Sequence, residues 1–129
     1  MTPAEVDPNE HILVVEDDRD LRDTLAEALR LEGYEVVSAE HGEAALRHLR
    51  SGARPCMVLL DLMMPVMDGW TLRREMLKDA ALAAIPVVVM TAAGAGRAAG
   101  VEATVVVHKP LVMDDLVALV EAHCPHGAN

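Results

Sequence analysis

Short runs rich in Val and Leu alternate along the chain with segments whose apolar residues recur at helical spacing. The runs predict five strands, at His11–Glu16, Tyr34–Ala39, Pro55–Leu60, Ile85–Met90 and Ala103–Val107. The helical patterns begin near Asp20, Gly42, Asp68 and Leu111, and they end near Gly33, Arg50, Asp79 and His123. Strands and helices therefore alternate, which predicts an α/β fold made of strand–helix–strand units.

The first, third, fourth and fifth runs are continuously apolar and do not alternate with polar residues. Strands that are buried on both faces of a parallel sheet have this pattern. With right-handed crossovers, the predicted architecture is a doubly wound parallel sheet with helices on both faces. Ligands bind such sheets beyond the carboxyl ends of the strands, so the residues directly after each run are the candidates for function.

Polar residues that could bind a metal ion or take part in a reaction follow four of the five runs. Glu16 and Asp17 come with the end of the first run, Asp61 follows the third, Thr91 the fourth, and Lys109 lies just beyond the fifth. Carboxylates held close together repel one another unless a cation lies between them, and hard oxygen ligands favour Mg²⁺ over zinc. A lysine and a hydroxyl beside such a cluster suit phosphoryl transfer, in which an aspartate can be the nucleophile.

Four segments at these positions resemble the receiver domain of two-component response regulators. They are ILVVEDD, LLDLMMPVMDGW, VVVMTA and VVVHKP, and the resemblance extends from about Ile12 to Ala122. It implies a five-stranded flavodoxin-like fold with strand order 2-1-3-4-5. We expect a receiver domain of the stand-alone type over residues 11–123, with a flexible leader at 1–10 and a flexible tail at 124–129.

The resemblance also implies a metal site. Asp17, Asp61 and the backbone carbonyl of Met63 are expected to ligate Mg²⁺, with Mn²⁺ able to replace it, and Glu16 is expected to contact a metal-bound water. Asp68 and Gly69 belong to the same family motif, and we interpret them as scaffold that opens the third helix.

The resemblance further implies a role in signalling. Asp61 is the expected phosphoacceptor, Lys109 pairs with the phosphoryl group, and the Thr91 hydroxyl follows it. A histidine kinase or a phosphotransfer protein donates the phosphoryl group, and an unknown downstream protein receives the signal. No enzymatic activity is expected beyond self-phosphorylation from small acyl phosphates and self-dephosphorylation.

The sequence departs from the family pattern in two places that bear on the switch. Val106 stands where the family usually has Tyr or Phe, so no ring is available to move when Thr91 engages phosphate. The stretch from Thr91 to Lys109 is shorter than is usual in the family, and Ala92–Gly100 within it consists mainly of small residues and is rich in glycine, which predicts a shortened or disordered fourth helix. These departures favour an alternative function, an interaction module that works without phosphorylation.

A third hypothesis, a phosphohydrolase acting on external substrates, would require a second acid two residues after Asp61, where Met63 stands. The glycines of Gly94–Gly100 resemble a dinucleotide-binding loop, but they follow the fourth strand and not the first. They are better explained as a flexible loop. Asp18 or Asp20 is expected to cap the first helix, and the six histidines, which lack metal-ligand spacing, are expected to face solvent.

Charge and composition narrow the partners. A net charge of −10 opposes binding to nucleic acid and to anionic membranes, and no apolar run approaches the length of a membrane span. The acidic start of the chain does not have the pattern of a signal peptide, so we expect a cytoplasmic protein. Cys56 and Cys124 lie far apart in the sequence and are expected to be separate, reduced thiols.

Overall fold

The computed structural model describes residues 11–52, 54–62, 64, 66–91, 103, 105–109 and 111–124. Five strands form one sheet: β1 (His11–Val15), β2 (Glu35–Ala39), β3 (Met57–Asp61), β4 (Val87–Thr91) and β5 (Val105–His108). Every pair of neighbouring strands is parallel, and the order across the sheet is β2-β1-β3-β4-β5. The predicted doubly wound sheet and its strand order are confirmed.

The helices of the described residues are α1 (Arg19–Leu31), α2 (Gly42–Arg50), α3 (Gly69–Leu77), α4 (Ala80–Ala83) and α5 (Met113–His123). Asp18 caps α1 through hydrogen bonds from the backbone N–H groups of Asp20 and Leu21, as expected of one of the two candidate acids. The shortened or disordered fourth helix predicted at 92–100 lies outside the described residues, as do 1–10 and 125–129.

The third predicted helix, from Asp68 to about Asp79, is two helices in the structure. Helix α3 ends at Leu77, and the Asp79 side chain then accepts a hydrogen bond from the backbone N–H of Ala81 and starts the single turn of α4. An aspartate can cap a new helix as readily as it can sit in the last turn of an old one. The continuous helical pattern therefore concealed the break.

Side chains of alternate strand residues fill two cores, one on each face of the sheet. On one face Leu13, Val15, Val58, Leu60, Val87 and Val89 pack against buried residues of α2, α3 and α4. On the other face Ile12, Val14, Met57, Leu59, Val88 and Met90 pack against buried residues of α1 and α5. Strands β1, β3 and β4 are buried throughout because both of their faces are covered.

Strand β5 differs from the prediction that it is buried on both faces. It lies at the edge of the sheet, and its residues alternate between half-buried and exposed. Val106 is 37 % exposed. A continuous run of valines cannot by itself distinguish a central strand from an edge strand, because valine favours both kinds of strand.

The expectation of two separate, reduced thiols is wrong, because Cys56 and Cys124 form a disulfide with a Cα–Cα distance of 5.5 Å. Cys56 directly precedes β3, and Cys124 follows the last residue of α5. Cys124 belongs to the predicted flexible tail, yet it is only 5 % exposed. The bond ties the end of α5 to the beginning of a central strand, although the two residues are 68 positions apart.

The expectation that the histidines face solvent is also wrong for three of them. His11, on β1, is 7 % exposed, and its Nε2 lies 2.9 Å from Nε2 of His48 on α2. His41 is half-buried, and its Nδ1 accepts a hydrogen bond from the backbone N–H of Ala44 at the start of α2. Two of these rings pack between a strand and a helix, and the third acts as a helix cap.

Candidate functional site

Three carboxylates meet at the carboxyl edge of the sheet. Glu16 and Asp17 directly follow β1, and Asp61 is the last residue of β3, which lies next to β1. One ligand atom from each of these residues lies within 4.8 Å of the other two. The neighbouring parallel strands therefore bring together the acids that the sequence predicted at this edge.

The three acids differ in burial. Glu16 has no solvent exposure and Asp61 is 3 % exposed, whereas Asp17 is exposed. One carboxylate oxygen of Glu16 accepts a hydrogen bond from the backbone N–H of Asp18, at 3.1 Å. A buried carboxylate requires partners of this kind, because burial without them disfavours its charged form.

Lys109 supplies the positive charge of the site. Its backbone N–H donates to the carbonyl of Thr91 at 2.9 Å, which extends the pairing of β4 with β5 to the edge of the site. Its Nζ lies 2.9 Å from Oε1 of Glu16 and 3.5 Å from Oδ2 of Asp61. Burial lowers the pKa of this ammonium, but the hydrogen bond to Glu16 and the charge of Asp61 outweigh burial and raise the pKa above its ordinary value. Lys109 therefore remains protonated.

Thr91 ends β4 at the same edge and has no solvent exposure. In the sheet register Asp61 pairs with Met90, so Thr91 lies one position further toward the carboxyl edge than the level of Asp61. His108 is the register partner of Thr91 on β5, and Lys109 follows it. The structure thus places Thr91 at the end of β4, which lies next to the strand of Asp61, and Lys109 directly after β5, which lies on the far side of β4.

The connection from β3 to α3 passes beside the acids. Met63 lies outside the described residues, so its expected carbonyl ligand stays a prediction.

The N–H of Gly69 donates to the carbonyl of Leu62 at 3.0 Å, and the Asp68 side chain caps α3 by accepting from the N–H of Thr71 at 2.8 Å. Val66 is 73 % exposed and has a φ of 69°, an unusual backbone conformation for a β-branched residue.

Gly69 fits a place that no larger residue could occupy without movement. A Cβ at this position would lie 2.8 Å from the carbonyl oxygen of Asp61 and 2.8 Å from the Cα of Leu62. Both atoms belong to the backbone, so a side chain could not be accommodated by rotating a neighbour. Gly69, which we interpreted as scaffold, therefore leaves the space that the backbone of Asp61 and Leu62 occupies.

The donor set suits a small, hard divalent cation. All three acidic ligands are oxygen donors, and no cysteine or histidine joins the cluster among the described residues. Among the described residues, three carboxylates face the ammonium of Lys109, with the guanidinium of Arg22 on the backbone behind them, so a divalent cation such as Mg²⁺ or Mn²⁺ would offset a remaining negative surplus. Lys109 also borders an open cavity of about 390 Å³, lined by residues of α1 and of the segment leading into α5.

Three hydrogen bonds that support the acids were not foreseen. The guanidinium of Arg22 donates to the backbone carbonyls of Glu16 and Asp17, and the N–H of Asp18 donates to a carboxylate oxygen of Glu16. The bonds of Arg22 had no signal in the sequence, because an arginine in the first turn of a helix is usually solvated. The geometry of the turn between β1 and α1 creates all three.

The fold and the site define an α/β domain with an acidic cluster, a threonine and a lysine at the carboxyl edge of its sheet. Over residues 12–121 the sequence matches the family described as the response regulator receiver domain, and the chain belongs to that family. It is 41 % identical over 118 residues to the transcriptional regulatory protein PrrA of Mycobacterium tuberculosis, covering 86 % of this chain and 48 % of PrrA. The curated relatives are longer, and the chain spans only about a third to a half of their length.

Two solved structures show the same fold. The receiver domain of a signal transduction histidine kinase from Syntrophus aciditrophicus has a TM-score of 0.83 and 29 % identity, with 89 % of each chain covered. The response regulator TrrA of Thermotoga maritima, solved in complex with Mg²⁺-BeF, has a TM-score of 0.78 and 33 % identity over 88 % of this chain and 97 % of TrrA. Across the described residues, no helix has both the length and the apolar character needed to span a membrane.

Proposed function

We propose that Asp61 is a phosphoacceptor that receives a phosphoryl group from a histidine kinase or a phosphotransfer protein. One observation carries this proposal: the Asp61 carboxylate lies at a strand end, 3.5 Å from the Lys109 ammonium and beside the carboxylates of Glu16 and Asp17. An aspartate in such surroundings can act as a nucleophile while nearby cations offset the charge on the incoming group.

The proposed reaction is a direct transfer. A carboxylate oxygen of Asp61 forms a bond to phosphorus as the phosphorus–nitrogen bond of a phosphohistidine breaks, and the imidazole keeps the electron pair of that bond. Lys109 would pair with one phosphoryl oxygen, and the Thr91 hydroxyl would donate a hydrogen bond to another. The raised pKa of Lys109 favours its protonated form, which could pair with the incoming group.

The proposed metal is Mg²⁺, with Mn²⁺ able to replace it. Asp17, Asp61 and the carbonyl of Met63 would hold the ion, and Glu16 would contact it through water. When bound, the ion neutralises negative charge on the transferring group. The oxygen donors of Glu16, Asp17 and Asp61 lie close enough together to share one small cation, which supports this assignment.

The proposed output is contact with a downstream protein, by a cytoplasmic receiver domain over residues 11–123. PrrA is named a transcriptional regulatory protein, so a related chain can act on transcription as a whole protein. For the domain itself we propose no direct contact with nucleic acid, because its net charge of −10 opposes binding to a polyanion. We also propose no enzymatic activity on external substrates.

A second candidate is an interaction module that does not depend on phosphorylation. It is favoured by Val106, which stands where the family usually carries the aromatic ring of its switch and is 37 % exposed. A valine at an edge strand has no ring to move between exposed and buried positions. The acidic cluster, which would be unnecessary in such a module, favours the first candidate.

One experiment separates the candidates. The protein and its Asp61→Asn variant are incubated with a small acyl phosphate and Mg²⁺, and the intact masses are measured. We expect the wild type to gain one phosphoryl group and the variant to gain none, because an amide oxygen is a poor nucleophile. No gain in either protein would favour the second candidate. Turnover of the donor without accumulation would indicate a phosphohydrolase.

A further inference from the structure

Arg22 connects the first helix to the backbone of two acids of the site. Its Nη1 donates to the carbonyl of Glu16 at 3.0 Å and lies 3.4 Å from the carbonyl of Asp17. Its own backbone N–H donates to the carbonyl of Asp18 at 2.8 Å. One residue is therefore hydrogen-bonded to three consecutive residues of the turn between β1 and α1.

The Glu16 carboxylate is also fixed from other directions, whereas that of Asp17 is not. Glu16 accepts hydrogen bonds from Lys109 and from the N–H of Asp18. The Asp17 side chain is exposed, and among the contacts of the described residues only its backbone carbonyl has a partner, which is Arg22. The direction in which the Asp17 carboxylate extends toward Asp61 therefore depends on the backbone that Arg22 contacts.

We propose that Arg22 is a positioning residue for the divalent cation site. By donating to two successive carbonyls, its guanidinium sets the backbone from which the Asp17 side chain reaches the shared ligand position. Groups that orient metal ligands in this way commonly change metal affinity by an order of magnitude or more when they are removed. The inference rests on the proposed cation site but adds a residue outside the ligand set.

Charge alone predicts the opposite effect. Arg22 is a cation close to the acidic cluster, so its positive charge repels a divalent ion. If charge were its main influence, replacing it with a neutral residue would tighten cation binding. If positioning dominates, the same replacement weakens binding. The sign of the change therefore distinguishes the two roles.

The test compares cation binding by four forms of the protein: wild type, Arg22→Met, Arg22→Lys and Arg19→Met. Arg19 is a matched control because it lies in the same turn of α1, is 83 % exposed and pairs only at 3.8 Å with Asp23. Dissociation constants are measured for Mg²⁺ by calorimetry and for Mn²⁺ by the electron paramagnetic resonance signal of the free ion. We expect Arg22→Met to weaken binding about tenfold.

Arg19→Met is expected to leave binding unchanged or slightly tighter. Arg22→Lys is expected to recover part of the affinity, because an ammonium can still donate to one of the two carbonyls. Unchanged or tighter binding by Arg22→Met would overturn the inference. If the wild type itself bound neither ion, the proposed function would fail first, and this would be visible before any variant is compared.

A second measurement uses the metal-free protein and therefore does not depend on cation binding. Amide hydrogen exchange of Asp18 reports the hydrogen bond from its N–H to Glu16, within the turn that Arg22 contacts. We expect Arg22→Met to accelerate exchange at Asp18 while amides in the middle of α1, such as Leu25, stay protected. Equal exchange at Asp18 in wild type and variant would contradict a positioning role, even if the affinities differed.

Discussion

Glu16 is a charged residue held at a position with no solvent exposure. Its carboxylate is compensated by the ammonium of Lys109 at 2.9 Å and by the N–H of Asp18. Removing one partner of a buried ion pair leaves the other charge without compensation, which costs more than the pair contributes. The pair therefore couples the acidic turn after β1 to the lysine after β5, although these residues lie far apart in the sequence.

Gly69→Ala is expected to disturb the phosphoacceptor through its backbone. The added Cβ would meet the Asp61 carbonyl and the Leu62 Cα at 2.8 Å, so the free energy of unfolding should fall by about 1–3 kcal/mol. The initial rate of phosphorylation of Asp61 should fall as well. Stability is measured by urea denaturation, and the rate by intact mass at successive times.

Gly52→Ala is the control for this prediction. Gly52 has a φ of 103° but nothing within 4 Å of an added Cβ, so the substitution strains the backbone without a collision. It lies in the turn before β3, whereas Asp61 ends that strand. Stability should fall by about 1–2 kcal/mol while the phosphorylation rate stays unchanged. Equal rates for the two alanine variants would show that the collision at Gly69 does not reach Asp61.

At the scale of elements, the loop between β3 and α3 is attached on two sides. The N–H of Gly42, the first residue of α2, donates to the carbonyl of Met67 at 3.1 Å, and the N–H of Gly69 donates to Leu62. A Cβ on Gly42 would lie 2.6 Å from the Met67 carbonyl oxygen. Two glycines therefore allow α2 and α3 to approach the loop that follows the phosphoacceptor.

The contact between His11 on β1 and His48 on α2 should make the free energy of unfolding depend on pH. Burial, followed by the neighbouring ring of His11, holds the pKa of His48 below its ordinary value. The unfolded chain therefore binds a proton more readily than the folded one. The stability contributed by the neutral ring is present above the ordinary histidine pKa of about 6.5 and is lost as the pH falls through the lower, folded-state pKa.

We predict that the unfolding free energy of the wild type falls more steeply than that of His48→Gln between about pH 7 and pH 5. The difference between the two proteins isolates this pair from the other titrating groups. His108→Gln is the control, because His108 is exposed at the edge strand. The prediction fails if wild type and His48→Gln show parallel pH profiles in urea denaturation.

At the scale of the whole molecule, the disulfide between Cys56 and Cys124 should contribute to stability. It closes a loop with a sequence separation of 68, and a crosslink of this kind restricts mainly the unfolded chain. Reduction, or the double replacement Cys56→Ser with Cys124→Ser, is expected to lower the free energy of unfolding by about 2–4 kcal/mol.

Alkylation provides the direct measurement of this bond. Iodoacetamide added to the denatured, unreduced protein should modify neither cysteine, and both should react after treatment with dithiothreitol. Two modified cysteines before reduction would contradict the disulfide. Because stable disulfides are uncommon in the cytosol of most organisms, the same measurement on protein from intact cells bears on the proposed location.

The architecture was predictable because each strand ends within one residue of the end of its predicted run. The acids Glu16 and Asp61 were identified for the same reason, since parallel strands bring their carboxyl ends to one edge. The disulfide, the part-buried His11–His48 pair and the contacts of Arg22 were not predictable from spacing. The first two join distant parts of the chain, and their distances depend on how helices pack on the sheet. The contacts of Arg22 depend on the path of the turn between β1 and α1.

The disulfide closes a covalent ring that includes some residues of the site and leaves others outside it. The covalent ring that it closes contains Asp61, Thr91 and Lys109, whereas Glu16 and Asp17 lie outside it. After a single proteolytic cut between Thr91 and Lys109, the fragment with Asp61 and the fragment with Lys109 would therefore stay linked by the disulfide. The nicked protein would separate into two fragments only when a reductant is added, which electrophoresis with and without reductant would reveal.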